Sequence, residues 1–135
     1  MIIDTHIHLD DSRYNDDLDE VLNRAREGGV QRFIIPGADP STLPRAIEIA
    51  EMHDDVYFAV GVHPYDLESF QTLDFEKYVH HKKCIAIGEC GLDYFRLEGT
   101  DEEKAFEKRN QKQVFEAQIE LAKKYNKPLI VHVRD

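Results

Sequence analysis

Apolar residues come in short β-branched runs separated by stretches whose apolar positions recur every three to four residues. Residues 2 to 8 read as a strand. Leu18, Val21, Leu22 and Ala25 then follow at helical spacing behind Asp16 and Asp17 as caps, and the pattern stops at Gly28-Gly29. Residues 30 to 36 (VQRFIIP) give a second strand, and Asp39-Pro40 opens a second helix with Leu43, Ala46, Ile47 and Ala50 on one side. A third strand covers 56 to 62 (VYFAVGV), a short helix holds Phe75, Tyr78 and Val79, and a fourth strand covers 84 to 88 (CIAIG). A long helix from about 101 to 125 presents Phe106, Val114, Ala117, Leu121 and Ala122, ends at Asn126-Lys127-Pro128, and leads into a strand over 129 to 133.

Five near-continuous apolar strands joined by helices imply a parallel sheet covered by helices, an α/β fold. An open doubly wound sheet and a TIM-like (β/α) barrel both use this alternation. The polar residues discriminate: His6 and His8, His63, Glu89 and His132 all fall at or just past the ends of apolar runs, as when a barrel assembles one site from several strands. No glycine-rich phosphate loop follows the first strand, so a dinucleotide-binding sheet has no support. The barrel is expected, with only about its first five strands in this chain. Residues 1–135 then form the N-terminal part of a single domain, and Arg134-Asp135 reads as a point where the chain stops mid-fold.

Composition narrows the class. With 41% hydrophobic and 33% charged residues, seven Gly and five Pro, the chain is globular rather than disordered or fibrous. It begins on strand-like Ile2-Ile3 without a signal-peptide pattern, and no run approaches the roughly 18 apolar residues of a membrane span, so a cytoplasmic protein with no membrane partner is expected. Cys84 and Cys90 lie in apolar sequence without a C-x-x-C motif and read as buried free thiols. A net charge of −10 weighs against a broad basic nucleic-acid surface, while leaving room for a narrow site where metal supplies the positive charge.

The candidate chemistry begins at Asp4-Thr5-His6-Ile7-His8. In an extended strand two imidazoles two residues apart point the same way and can converge on one ion. The pair alone is a weak signal, and Glu89 and His132 strengthen it: an acid directly after CIAIG, or an imidazole between Val131 and Val133, is costly to bury without a cation or a partner. His53, His80 and His81 sit in helix tails and read as solvated surface. The acidic run from Asp10 to Glu20 lacks the glycine and terminal glutamate of a calcium loop and reads as a solvated loop and helix start.

The segments DTHIHLD (4–10), GVHP (61–64), GECGLDY (88–94) and PLIVHVRD (128–135) together resemble the TatD family of metal-dependent deoxyribonucleases, within the amidohydrolase superfamily, along the whole chain. The resemblance implies a one- or two-metal site (Zn²⁺, Mg²⁺ or Mn²⁺) held by His6, His8, Glu89 and His132, with Glu89 able to bridge two ions. It implies hydrolysis of DNA phosphodiesters, commonly from 3′ to 5′, on single strands or 3′ ends, with no obligate protein partner. His63 lies where the family meets substrate, and a plain loop histidine fits it equally well. Asp93 either orients a ligand from behind or caps a turn; Arg134 either clamps a phosphate or forms a surface ion pair. The family's further histidine and the aspartate that serves as general base follow later strands, so no general base is expected within this chain. Two other readings remain: an amidohydrolase-type hydrolase of another ester, amide or phosphoester, and an inactive half-barrel that only binds.

Overall fold

A computed structural model describes residues 1–135 and places every expected strand and helix in the expected order. The strands are β1 (Ile2–Asp4), β2 (Val30–Ile35), β3 (Val56–Val60), β4 (Cys84–Asp93) and β5 (Leu129–Arg134); the helices are α1 (Leu18–Glu27), α2 (Leu43–Met52), α3 (Phe75–Val79) and α4 (Asp101–Tyr125). All four strand pairings are parallel and the order across the sheet is 1-2-3-4-5. A doubly wound sheet reverses direction at a switch point, whereas strands laid down in chain order make an arc of a barrel.

Helix termini explain where the elements stop. Thr100 and Glu103 form a reciprocal capping box at the start of α4, and Asn126, in the left-handed conformation, ends it. The second helix begins later than Asp39-Pro40, because the Asp39 carboxylate accepts the Ser41 N–H (2.8 Å) and holds a turn, leaving Thr42 as the cap residue. Asp17 precedes α1 without a side-chain cap bond.

The core joins Leu22 of α1, Ile49 of α2, and Phe33, Ile35, Phe58, Val60 and Ile87 of the strands. Helix α4 packs Leu121 and Ala122 against the core as expected but departs from the expected stripe in its first half. Phe106 is exposed, and the residues it buries are Gln111, Gln118 and Ala122. Both glutamines are fully buried (0% exposed). The Gln118 amide accepts from Val62 N–H (2.8 Å) and donates to Val62 carbonyl (3.0 Å); Gln111 does the same with Asp93, at 2.8 Å in both directions. Each replaces the two ladder bonds a neighbouring strand would otherwise make at that residue.

Several polar positions are less solvated than their neighbours in sequence suggest. His53 is largely buried, near the Arg26 guanidinium (3.5 Å) and Asp19 (3.5 Å), and His81 packs on Phe58 and meets Glu51 (3.0 Å); His80 alone of the three is exposed. In the acidic run, Asp10 is buried and accepts the Thr42 hydroxyl. Cys84 and Cys90 are buried free thiols, and burial pushes Cys90 up to about 12. Ile2, Ile3, Val131 and Val133 on the two outer strands are exposed. No helix is long and apolar enough to cross a membrane.

Candidate metal centre

Two strand lengths decide where the polar groups stand. Strand β1 ends at Asp4, so His6 and His8 are in the loop beyond it, where the Asp4 carboxylate accepts the His6 N–H (3.1 Å) and Ile7 N–H donates to the Ile34 carbonyl (3.1 Å). The expected strand over 2 to 8 therefore breaks, yet the rings still meet, with centroids 5.1 Å apart. Strand β4 runs to Asp93 instead of stopping at Gly88, which puts Glu89 inside the strand and places Glu89, Gly91 and Asp93 on one face. Gly91 pairs in register with His132 of β5. A Cβ on Gly91 would lie 2.0 Å from the His132 carbonyl oxygen, so only glycine allows the two strands to approach here.

The His132 imidazole spans the interval between the two carboxylates. Its Nδ1 lies 3.0 Å from Glu89 Oε1 and its Nε2 2.8 Å from Asp93 Oδ2. His6 Nε2 and His8 Nε2 approach the other oxygen of Glu89, Oε2, at 3.4 and 3.7 Å. Glu89 is only 5% exposed. His63 joins from the loop after β3, its ring centroid 4.4 Å from that of His132. Ligand-competent atoms thus form two adjoining groups, His6, His8 and Glu89, and His63, Asp93 and His132, each within 4.8 Å internally. Arg134 is apart from both, with its guanidinium 3.9 Å above the ring of Phe95.

Asp93 is the most elaborately held of these groups. Burial works against its ionisation, and hydrogen bonds from the Tyr65 hydroxyl, His132 and the Phe95 N–H (3.1 Å) outweigh burial, keeping the carboxyl below its ordinary range. Burial and the bond to Asp93 push the Tyr65 phenol up, so it remains a donor. Burial, with His132 beside it, lowers His63 and favours a neutral ring. Tyr65 carries no chemical signal of its own in the sequence beyond its place directly after the GVHP segment. Gln111 and Gln118, seven residues apart on α4, are equally silent because polar residues on a helix are ordinarily read as solvent-facing.

The donor set fits a divalent ion. An ionised Asp93 can only accept, so His132 Nε2 carries a hydrogen and a neutral ring then turns its Nδ1 lone pair toward Glu89. Imidazole nitrogens from His6, His8 and His132 surround the buried Glu89 carboxylate, with Asp93 on the far side of His132, and two carboxylates could not balance three imidazolium ions. Two metal–ligand bonds of about 2.1 Å at ordinary angles separate their ligand atoms by about 3.0–3.6 Å, close to the spacings here. A carboxylate behind a ligating histidine, as Asp93 stands behind His132, fixes the ring's tautomer and orientation.

The profile of the family described as "TatD related DNase" matches residues 3–135. The chain is 41% identical over 138 residues to the uncharacterized metal-dependent hydrolase YabD of Bacillus subtilis (strain 168), covering all of this chain and 51% of that protein. It is 30% identical to the 3′-5′ ssDNA/RNA exonuclease TatD of Edwardsiella piscicida, covering 99% of this chain and 50% of that one. The crystal structure of YJJV, a TatD homolog from Escherichia coli K12, superimposes with a TM-score of 0.78 at 33% identity, over 98% of this chain and 51% of the other. The chain spans about half the length of the curated relatives it matches. The family match runs over residues 3–135, nearly the whole chain, and the chain belongs to the TatD related DNase family.

Proposed function

We propose that this chain carries the larger part of the metal centre of a nuclease that hydrolyses phosphodiester bonds at the 3′ ends of single-stranded DNA or RNA. The observation that carries the reading is the convergence of three imidazole nitrogens on the two oxygens of buried Glu89. His6, His8, Glu89 and His132 would hold one or two divalent ions. Imidazole and carboxylate donors together suit Zn²⁺ or Mn²⁺, and Mg²⁺ where oxygen donors dominate. A divalent ion held there would supply an acidic water and positive charge against that growing on the phosphate. Asp93 fixes the tautomer of His132 and thereby the direction of its lone pair. His63, kept neutral by its burial, would donate to a phosphate oxygen.

The Edwardsiella relative, named a 3′-5′ ssDNA/RNA exonuclease, supports the substrate and polarity. In this reading residues 1–135 are the N-terminal part of one barrel in a cytoplasmic protein, and the general base is not among them. Metal titration by calorimetry tests the core of the proposal. His6→Ala and His8→Ala should each lower divalent-ion affinity by at least about tenfold, the smallest loss typical even of groups behind the ligands. Unchanged stoichiometry and affinity in both variants would reject the ligand assignment.

A further inference from the structure

Beside the metal centre lies a rim of aromatic rings, each paired with a cation. The Arg134 guanidinium sits 3.9 Å from the Phe95 ring centroid, Lys108 Nζ lies 4.6 Å from the Tyr94 ring and Arg96 5.6 Å from the Tyr65 ring. In a chain of net charge −10 this is a local concentration of positive charge on aromatic faces. Phe95 is 60% exposed, and Arg134 covers only part of its ring. The rim is fastened to the site: Asp93 takes His132 on Oδ2 and, on Oδ1, both the Tyr65 hydroxyl and the Phe95 N–H. The Tyr65 oxygen in turn accepts the Arg96 N–H (3.2 Å). Arg134 lies two residues beyond His132 on the same face of β5, so the two side chains rise about 7 Å apart along one strand.

We propose that Phe95 is a stacking platform for a base of a single-stranded nucleic acid whose backbone phosphate is met by Arg134. The inference rests on the nucleic-acid reading above and adds where the strand leaves the metal centre. Charge selects the direction. The depression lined by Tyr65 and Arg96 is also walled by Glu98, Glu102, Glu103 and Glu107, four carboxylates against one guanidinium, and repels a phosphodiester chain, whereas Arg134 stands over Phe95. Base–ring stacking tolerates any base, because every base has a π-face. The platform therefore supplies affinity and register without sequence preference.

The test uses the 135-residue chain and a phosphorothioate-protected single-stranded oligonucleotide in Mg²⁺, with 2-aminopurine at successive positions from the 3′ end. One position should show strongly quenched fluorescence on binding. Phe95→Leu should abolish that quenching and weaken binding about tenfold, as loss of one base–ring stack does, while Phe95→Tyr retains both. Removing the base at that position should weaken binding to the unaltered protein by the same factor, and should have little further effect on Phe95→Leu. If the unaltered chain binds and Phe95→Leu matches it in affinity and quenching, the platform is wrong and the nucleic-acid reading stands. If the unaltered chain binds no oligonucleotide, the nucleic-acid reading and the platform fall together.

Discussion

The two ends of the sheet are finished in opposite ways. At the N-terminal ends of the strands cations are held by protein oxygens: Arg26 makes a two-bond fork to Asp55 (2.8 Å each), Lys83 Nζ donates to the carbonyls of His53, Asp54 and Val56, and Lys127 Nζ donates to the Cys84 carbonyl. Toward the C-terminal ends Glu89 and Asp93 meet imidazoles and a phenol, and neither pairs with a lysine or arginine. The first end binds its cations with the chain's own oxygens, and the second leaves two carboxylates among imidazoles, the donor set a divalent ion would suit. The one supplies stability and the other chemistry, a division typical of barrels.

This contrast breaks most visibly at Glu89. Glu89→Gln should reduce divalent-ion affinity by more than about 100-fold, beyond the losses typical of groups behind the ligands, while the metal-free melting temperature stays within a few degrees. Calorimetric titration and thermal melts of the same preparations check both halves. An unchanged affinity would mean that Glu89 is only structural.

Gln118→Leu should behave inversely. It strands the N–H and carbonyl of Val62 in the core and should cost about 2–3 kcal/mol in denaturant unfolding, with metal affinity altered little. A loss below about 0.5 kcal/mol would show that the chain reorganises to satisfy Val62 by another route.

Asp93→Asn sharpens the boundary between the two roles. The amide still accepts on one side but no longer fixes the His132 tautomer by charge, so metal affinity should fall by about 10- to 100-fold. An affinity equal to that of the parent would leave Asp93 as no more than a turn-forming group.

The smallest effect belongs to the closed end. Arg26→Ala should destabilise by about 1–2 kcal/mol, a buried-pair value reduced because Arg26 is a third exposed, and should leave metal affinity unchanged. The Arg26 hydrogen bonds, opposed by burial, hold Asp55 below its ordinary range. The pair's contribution is therefore present above the unfolded aspartate value of about 3.9 and lost as pH falls through the lower folded value. The stability gap between parent and variant should close below about pH 4. A gap that persists undiminished to pH 2 would show that packing by the arginine stem is responsible.

Element order and the identity of the convergent residues were legible because both depend on local pattern: strand and helix periods differ, and a charged or imidazole group among Val and Ile is conspicuous. The lengths of β1 and β4 were not. Whether His6 continues a strand depends on a neighbour's carbonyl, Ile34, and whether Glu89 lies past a strand or within it depends on β5 pairing as far as Arg134. Gln111 and Gln118 were hidden for a related reason. A buried amide is distinguished from a solvated one by the backbone it faces, and those partners lie 18 and 56 residues away in sequence. His53 was misread in the same way, since its partners Arg26 and Asp19 belong to a different helix.

The division of Asp93 between its two oxygens has an evolutionary corollary. Because one carboxylate orients both His132 and the segment from Tyr65 to Phe95, no substitution at position 93 can tune one without disturbing the other. Tyr65, Asp93 and His132 should therefore drift as a linked set: a lineage that replaces the Tyr65 hydroxyl must recruit another donor to the same oxygen before it can alter the aromatic rim. The rim's diversity is then confined to side chains outside that linkage, Phe95 and Arg134 first among them.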